Sequence, residues 1–522
     1  MFENPTLQKS ALSEERRAGV CLHLTSLPGD YGIGEIGAAA RGFVDTLCAM
    51  GLSVWQFLPL GPTAYGDSPY QALSTFAGNE MLVDTADLIE LGLLDEDEVA
   101  ELTTLPARYV DYGTLIPIKT RLLHRAADRF EDTVSDDIRN DFNSFLERND
   151  AAWLHDYALF RILKTSHGER PWPEWKSEFV HRDRQALARL EEQQSDRILA
   201  IKIIQYFFFR QWFRLREYAH QRGVTLFGDM PICIALDSSD AWANRDILRL
   251  DDDGQPDSVA GVPPDYFSED GQLWGNPLYD WDKHAASNYA WWVDRLRATS
   301  ELADLVRIDH FRGFESYWSV PADAETARQG EWEPGPGDAI FDAMHESLGA
   351  LPIVAENLGV ITPEVEELRA RHGIPGMHVL QFDVCDEGFQ LTDVAENSAC
   401  YTGTHDNDTT VGWFHGSPDD IRSAADIALA REAVLKITGG RAETVHLDLV
   451  KAAFSTAARL AIAPLQDYLG LGSEARINTP GKPGGNWRWR VIDAQLSPKL
   501  CDNIASLVTA SGRGLSTHGN IE

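Results

Sequence analysis

Residues 305–313 read LVRIDHFRG, an apolar strand-like pattern that charged side chains interrupt. Side chains alternate along a strand, so Arg307 and Asp309, two residues apart, point to the same face. A cation and a carboxylate on a buried face are costly unless that face lines a site. The arginine favours the ionised form of Asp309, which a carboxylate nucleophile requires. The pattern predicts either a nucleophile with its charge partner or a structural ion pair.

Other polar side chains follow further apolar, strand-like segments. At the ends of these segments stand Asp229, Glu356, His405 and Asp406. A single acid in such a place could cap the helix that follows. The repetition of the pattern at several strand ends favours one shared site instead.

Carboxylates that accompany an arginine, a histidine and many aromatic residues fit retaining transfer of a glycosyl group. One carboxylate attacks the anomeric carbon, while a second protonates the leaving oxygen and later deprotonates the acceptor. A third acid and a histidine would grip the sugar hydroxyls beside the reacting carbon. The 15 Trp and 14 Tyr residues supply flat faces that could stack on pyranose rings, although most of them are expected in the core.

The spacing of strand-like segments indicates the scaffold that would bring these side chains together. Most of the segments are joined by helical patterns, and they begin near residues 19, 54, 225, 305, 352, 377, 399 and 461. This arrangement predicts an α/β fold, a (β/α)8 TIM barrel whose strand ends open on one face. We interpret 1–522 as a single catalytic barrel unit with an aromatic loop insert at 61–80, a mainly helical inserted subdomain at 91–223, and a loop-rich insert over the active site at 235–300.

The charge balance restricts the binding partners. The chain has 81 acidic and 46 basic residues, a formal net charge of −35, and only ten of its basic residues are Lys. The negative electrostatic field of such a protein disfavours binding to nucleic acid and to anionic membranes, because both are polyanions. Dispersed acids with scarce lysine are typical of a halophilic protein, since salt screens the self-repulsion. An ordinary acidic bacterial enzyme is the alternative.

The remaining sequence signals predict a cytoplasmic protein without a cofactor. No apolar run reaches membrane-spanning length, and the polar segment 1–17 lacks the apolar core of a signal peptide. The six cysteines form neither a CxxC pair nor a Cys/His cluster with zinc spacing. No glycine-rich phosphate loop is present. We therefore expect neither a metal nor a cofactor.

Seven short motifs give the chain a resemblance to a known family. In order they are GDSPYQ at 66–71, GDMPI at 228–232, WGNPLY at 274–279, RIDHFRG at 307–313, AENLG at 355–359, GTHDND at 403–408 and RINTPG at 476–481. With them the chain resembles the amylomaltases, also called disproportionating enzymes or 4-α-glucanotransferases, relatives of the α-amylases. The resemblance runs from about residue 19 to residue 492 and implies transfer of α-1,4-glucan segments.

The resemblance also implies roles for individual residues. Asp309 would be the nucleophile, Glu356 the general acid/base and Asp406 the third acid. The implied supporting positions are Arg307 beside the nucleophile, His405 and Asp229 on the donor sugar, Tyr70 and Trp274 as stacking platforms, Asn478 as a further sugar contact, and Tyr65 in a second glucan site. Asn357 departs from the family, which often has Asp after the catalytic Glu.

Several expectations follow from this resemblance. The substrates would be maltooligosaccharides and α-1,4-glucans, and the protein a monomer or weak homo-oligomer. Retention requires about 5–5.5 Å between the Asp309 and Glu356 carboxyls. Met230 follows Asp229 where an α-amylase has an Asn-His pair, so no structural calcium is expected there. The alternatives are an α-amylase-like hydrolase, a non-catalytic glucan-binding barrel and a metal-dependent hydrolase that uses its histidines.

Overall fold

The computed structural model describes residues 10–264, 269–417, 420–482 and 484–514. The β-strands in these ranges are β1 (Arg17–Cys21), β2 (Val54–Gln56), β3 (Thr225–Pro231), β4 (Ser258–Val262), β5 (Gln272–Pro277), β6 (Leu305–Asp309), β7 (Ser316–Pro321), β8 (Glu331–Pro334), β9 (Ile353–Ala355), β10 (Gly376–Val379), β11 (Ser398–Tyr401) and β12 (Leu460–Pro464).

Eight of these strands form one parallel sheet in the order β10-β11-β12-β1-β2-β3-β6-β9. They are the segments predicted from the sequence, and the (β/α)8 barrel is confirmed. The ladder is open at the seam, by which we mean the facing edges of β9 and β10. There the Ala355 N–H donates to the Pro375 carbonyl over 2.8 Å, so the barrel is nearly closed.

Helices connect the barrel strands along the chain. Helix α1 (Ala38–Ala49) lies between β1 and β2. Between β2 and β3 lie α2 (Thr85–Glu90), α3 (Glu96–Val99), α4 (Tyr112–Asp128), α5 (Phe130–Thr133), α6 (Asp136–Asn149), α7 (His155–Ser166), α8 (Ser177–Val180), α9 (Arg184–Gln193) and α10 (Ser195–Gln221). After β3 come α11 (Ser239–Ala243), α12 (Trp281–Ala286), α13 (Ala290–Leu302), α14 (Asp338–Leu348), α15 (Pro363–Arg371), α16 (Leu380–Asp383), α17 (Thr410–His415), α18 (Ala424–Thr438), α19 (Val445–Ser455), α20 (Leu465–Leu469) and α21 (Pro498–Ala510).

The barrel strands are short apolar runs because helices cover the outside of the sheet and side chains fill its interior. Strand β12, with the sequence LAIAP, is buried at every position. Gly19 allows β1 and β2 to approach closely, since a Cβ at that position would lie 2.7 Å from the Val54 carbonyl oxygen. The fully buried Trp55 donates its indole N–H to the Leu22 carbonyl over 2.8 Å. The indole N–H is therefore hydrogen-bonded although it is buried at the barrel centre.

A second sheet of four antiparallel strands has the order β5-β4-β7-β8. The range 235–300 was predicted to be a loop-rich insert, yet β4 and β5 lie within it. The partner that completes this sheet, β7, comes from beyond β6, and β5 is mostly exposed and shows no regular alternation. Local periodicity therefore carries no signal for the pairing. Residues 265–268, which belonged to the same prediction, lie outside the described residues.

The helices between β2 and β3 are fastened to the barrel by α10 and by buried charges. Helix α10 packs against α1, α4, α7 and β3. Lys119 of α4 forms a buried ion pair with Glu35, which lies between β1 and α1. Removal of one partner from such a buried pair costs about 3–5 kcal/mol of stability. Among the described residues no helix combines the length and the apolar character needed to cross a bilayer.

Candidate active site

The C-terminal ends of four barrel strands carry the polar side chains that the sequence analysis singled out. Asp229 lies in β3, Arg307 and Asp309 in β6, and Glu356 directly follows β9. His405 and Asp406 follow β11 by a short turn, the fourth and fifth residues after Tyr401. The parallel sheet therefore brings these side chains to one end of the barrel.

Arg307 links two carboxylates. Its Nη1 lies 2.5 Å from Asp229 Oδ2, and its Nη2 lies 2.6 Å from Asp309 Oδ1. Burial lowers the pKa of Arg307, but the charges of the two carboxylates outweigh burial and hold this pKa well above its ordinary value. The Asp309 side chain is 30% exposed, whereas that of Arg307 is 4% exposed. Asp309 is thus an ion-paired carboxylate that a ligand can reach.

Asp229 lies on the inner side of this ion pair and is bound by Tyr70. The Tyr70 hydroxyl donates to Asp229 Oδ2 over 2.7 Å. Burial raises the pKa of Asp229, and the positive charge of Arg307 opposes this rise. Burial also raises the pKa of Tyr70 well above its ordinary value, so the phenol stays neutral. The ring of Tyr70 stacks on His405 with centroids 5.1 Å apart and an interplanar angle of 10°.

Glu356 is buried, and two main-chain donors hold its carboxylate. Its Oε2 accepts the His310 N–H and its Oε1 accepts the Leu358 N–H, each over 2.7 Å. Burial, followed by the charge of Asp309, raises the pKa of Glu356 to about 7. His310 adopts a left-handed conformation with φ 57°, which is unusual for a residue with a Cβ and typical of functional sites. This conformation accompanies the donation of its N–H to Glu356.

Asp406 is held at the edge of the site by residues of the 476–478 segment. Asn478 donates to Asp406 Oδ1 over 2.6 Å, and Arg476 donates to the Asp406 main-chain carbonyl over 2.6 Å. The second carboxylate oxygen lies 3.4 Å from His405 Nε2. The side chain of Asp406 is 43% exposed, so it can bind a ligand as well as its protein partners.

The four-stranded sheet brings Trp274 to the same end of the barrel. The Trp274 ring meets His310 edge to face, with centroids 4.9 Å apart. Trp274, His310, Cys233, Tyr317 and Trp318 are among the residues that line a pocket of about 390 Å³. The structure thus places an aromatic pocket beside the residue that follows Asp309.

The structure adds contacts at two positions near the site that had no predicted role. Trp487 is buried, as expected for most of the aromatic residues, and its ring also lies 5.9 Å from that of Tyr70 and 6.0 Å from that of His405. The signal available for it was its position shortly after the RINTPG motif. Arg476, which begins that motif, was quoted without a role. The side chain of Tyr65 lies outside the part of the chain that the structure describes.

The histidines near the site do not form a metal centre in the described part of the chain. No group of three or more His, Cys, Asp or Glu side chains there is placed to hold a metal ion. Burial lowers the pKa of His23 to about 3 and that of His310 to about 4. Both are therefore neutral at physiological pH.

The site pairs two carboxyl groups whose environments differ. Asp309 is ion-paired with Arg307, and Glu356 has a pKa of about 7 that leaves it protonated in a large fraction of molecules near neutral pH. A carboxylate beside a carboxylic acid is the arrangement that retaining glycosyl transfer uses. The fold and the site define a (β/α)8-barrel enzyme that acts on glycosidic bonds.

Comparison with known proteins identifies the family. The sequence profile of the family described as 4-alpha-glucanotransferase matches residues 22–495. The chain is 44% identical over 504 residues to a 4-alpha-glucanotransferase of Thermus thermophilus, which covers 95% of this chain and 99% of that protein. It is 43% identical over 509 residues to a 4-alpha-glucanotransferase of Synechocystis, covering 96% of this chain and 98% of that protein. The chain belongs to the 4-alpha-glucanotransferase family.

Solved structures agree with this assignment. The amylomaltase from Streptococcus agalactiae, in a complex with acarbose, superposes with a TM-score of 0.89 at 36% identity, covering 96% of this chain and all of that one (100%). The amylomaltase from Corynebacterium glutamicum superposes with a TM-score of 0.77 at 17% identity, covering 96% of this chain and 75% of that one. The second comparison supports the fold alone.

Proposed function

We propose that this 4-alpha-glucanotransferase moves α-1,4-linked glucan segments by a double displacement in which Asp309 is the nucleophile and Glu356 the acid/base. The observation that carries the proposal is the pairing of a partly exposed, arginine-bound carboxylate with a buried carboxyl group of raised pKa. The donor is a maltooligosaccharide or longer α-1,4-glucan. The acceptor is the 4-OH of glucose or of another glucan.

In the first half of the reaction, Asp309 attacks the anomeric carbon of the donor. The bond from this carbon to the leaving oxygen breaks as Glu356 gives its proton to that oxygen, and a glycosyl ester of Asp309 forms. Arg307 stabilises the carboxylate before attack and lies beside the ester afterwards. Asp406, held by Asn478, binds hydroxyls next to the reacting carbon.

In the second half, the ionised Glu356 takes the proton from the 4-OH of the acceptor. The acceptor oxygen attacks the anomeric carbon, the ester bond breaks, and Asp309 is regenerated as a carboxylate. Two inversions give net retention. A pKa of about 7 suits this exchange of roles because both protonation states of Glu356 are accessible near neutral pH.

The surrounding side chains suit the two sugars. Asp229 and His405 are buried and both contact Tyr70, one by a hydrogen bond and the other by stacking. They would bind the donor sugar. Trp274 faces the aromatic pocket next to His310 and would stack on a glucosyl unit of the acceptor. Asn478 would support the donor through Asp406, and Tyr65 would belong to a second glucan site.

Maltotriose alone distinguishes transfer from the alternatives. We expect glucose and a ladder of longer oligomers, while the total number of reducing ends stays constant, because each broken glycosidic bond is replaced by another. Chromatography of the products with a parallel reducing-end assay measures both quantities. Reducing ends that rise together with glucose would indicate a hydrolase, and unchanged maltotriose would indicate a non-catalytic glucan-binding barrel.

We further propose that the inserts at 61–80, 91–223 and 235–300 form one catalytic unit with the barrel. A monomer or weak homo-oligomer in the cytoplasm fits the barrel, which contains the whole constellation of carboxylates in one chain. The acidic, lysine-poor surface favours a salt-rich cytoplasm. Three of the ten lysines, Lys119, Lys164 and Lys202, are buried, which makes the surface poorer still in this residue.

Salt tests the halophilic proposal. We expect the midpoint of thermal unfolding to rise between roughly 0.1 M and 1 M KCl, as the Debye length falls from about 10 Å to 3 Å and screens repulsion within a net charge of −35. Differential scanning calorimetry measures this midpoint, and sucrose at equal osmolality serves as an uncharged control. A midpoint that KCl leaves unchanged would instead indicate an ordinary acidic enzyme.

A further inference from the structure

The seam between β9 and β10 lies beside Glu356. Strand β9 ends at Ala355 and β10 begins at Gly376, and the two strands stand at opposite ends of the ladder order. The main chain contributes the single bond from Ala355 to Pro375 described above. Backbone groups at such an open edge require other partners. A three-residue strand that carries a catalytic group thus gains from side-chain support at this edge.

Asn357 supplies bonds on both sides of the seam. Its Oδ1 accepts the Met377 N–H over 2.7 Å, and its Nδ2 donates to Glu366 Oε1 over 2.7 Å. The amide can accept and donate at once, whereas an ionised carboxylate only accepts and an apolar side chain does neither. The asparagine at this position is therefore matched to a main-chain donor on one side and a carboxylate on the other.

Glu366 is anchored in turn by Arg369 of the same helix. Arg369 donates to Glu366 Oε2 from Nη2 over 2.6 Å and from Nε over 3.1 Å. It also donates from Nη1 to the Ile374 carbonyl over 2.6 Å. These bonds join α15 to the start of β10, and we call the linked set of Asn357, Glu366, Arg369 and their main-chain partners the seam clamp.

The strand that receives Asn357 is shaped around it. A Cβ at Gly376 would lie 3.0 Å from both Nδ2 and Oδ1 of Asn357, closer than ordinary van der Waals contact. Glycine at this position lets the amide lie directly against β10. The close approach is a second observation, independent of the hydrogen bonds, that Asn357 is fitted to the seam.

Leu358 connects the seam clamp to Glu356. The Leu358 N–H belongs to the peptide that follows Asn357 and donates to Glu356 Oε1. Because a peptide unit is planar and rigid, a displacement of Asn357 moves this donor. Main-chain N–H groups stabilise the ionised form of a carboxyl group, so the position of the donor affects both the place of Glu356 and its affinity for a proton.

We propose that Asn357 is a positioning residue for Glu356, which acts by joining Met377 to Glu366 across the seam and so holding the Leu358 N–H on the Glu356 carboxylate. The proposal rests on the acid/base role proposed above for Glu356. Asn357 does not touch the reacting atoms in this account. Its effect is transmitted by one peptide unit.

The charged groups around the seam clamp also affect the pKa of Glu356, so a test of the clamp must leave these charges unchanged. Burial and the charge of Asp309 raise the pKa of Glu356, while Arg307 lowers it. Burial raises the pKa of Glu366, but its bonds to the arginine and asparagine of the clamp, together with the charge of His378, outweigh burial and lower it. A neutral replacement of Asn357 leaves all these charges in place. A change in the pH dependence then reports the loss of the clamp.

Leucine is similar in size to asparagine, so Asn357→Leu removes both hydrogen bonds without a change of charge. We expect the alkaline limb of kcat/KM for maltotriose to move up by roughly one pH unit, because a misplaced Leu358 N–H no longer stabilises the ionised Glu356. We also expect kcat to fall about tenfold as the acid/base loses its alignment. Asn397→Leu is the matched control, since Asn397 bonds the Gly373 carbonyl at the opposite end of the barrel. Its pH limb should coincide with that of the wild type.

A polarity swap keeps the proposal testable if Asn357→Leu is too unstable to assay. In Asn357→Asp, two carboxylates face each other at positions 357 and 366. When Asn357→Asp is combined with Glu366→Gln, the amide at position 366 can donate to the carboxylate at position 357, which restores the hydrogen bond with donor and acceptor exchanged. Both variants carry the same charge at position 357, so the difference between them reports the clamp. We expect the double variant to be about tenfold faster than the single one.

Two results would overturn the proposal. These are a pH limb for Asn357→Leu that coincides with the wild type, and a double variant that is no faster than Asn357→Asp. Glu356→Gln separates this failure from a failure of the proposed function. If Glu356→Gln keeps wild-type turnover, the acid/base role itself is wrong; if it loses turnover while the Asn357 variants behave as the wild type, only the clamp is wrong.

Discussion

Replacing Asp309 with Asn should lower kcat/KM for maltotriose on the order of 10⁵-fold, as expected when a catalytic nucleophile is removed. The amide has nearly the shape of the carboxylate but cannot form the glycosyl ester. Arg307 keeps its bond to Asp229 in this variant, so the fold should persist. The thermal midpoint of the variant, measured beside its activity, separates a chemical defect from unfolding.

A smaller side chain at the same position makes this test sharper. Asp309→Gly leaves room for azide, and α-maltotriosyl fluoride carries a leaving group that needs no acid. Azide in the place of the nucleophile should then produce the β-glycosyl azide, the product of a single inversion. Transfer by Asp309→Asn within about tenfold of the wild type would assign the nucleophile to another residue.

Replacing Glu356 with Gln should lower kcat/KM for maltotriose by about 10³-fold, within the range for loss of a general acid/base. The effect should depend on the leaving group. α-Maltotriosyl fluoride bypasses the need for an acid in the first step, and the glycosyl ester of Asp309 should accumulate because no base activates the acceptor. Mass spectrometry of the intact protein would detect the added glycosyl unit.

The pH dependence adds a second readout for Glu356. Its pKa of about 7 keeps the group protonated below that pH, so kcat/KM for maltotriose in the wild type should fall as the pH rises above about 7. Glu356→Gln, which cannot titrate, should lack this alkaline limb. With azide and the fluoride donor, this variant should form the α-glycosyl azide by two inversions. A β-azide from Glu356→Gln would contradict the assignment of roles.

The opposite anomeric products make the two substitutions controls for each other. Both variants are assayed with the same donor, α-maltotriosyl fluoride, and the same added nucleophile, azide. Asp309→Gly removes the first displacement, whereas Glu356→Gln preserves it. A general loss of substrate binding would reduce both products without altering their configuration. The pair therefore tests the mechanism rather than the integrity of the site.

Much of the barrel could be predicted because its strands are encoded locally. Each is a short apolar run between helical patterns, and parallel strands buried on both faces have this appearance. The pairing of Arg307 with Asp309 was also predictable, since residues two apart in one strand share a face whatever the tertiary structure. The 2.6 Å contact between them confirms that part of the prediction.

The second sheet could not be predicted in the same way. Strand β5 pairs with β4, and β4 pairs with β7, which is contributed by a segment on the other side of β6. Its stability comes from long-range pairing rather than from alternation within either strand. Trp274 was therefore recognised by its motif, while its contact with His310 depends on where the sheet is packed.

The segment 305–313 separates what the local sequence determines from what the tertiary structure determines. The sequence by itself determined that Arg307 and Asp309 lie on one face and that both belong to a barrel strand, because these properties depend on alternation and local hydrophobicity. Only the tertiary structure decided that Arg307 also binds Asp229 and that Glu356 is buried close enough to Asp309 for its pKa to rise. It alone placed Asn357 across the seam. Burial and contacts between distant segments arise when the barrel closes, and no local pattern encodes them.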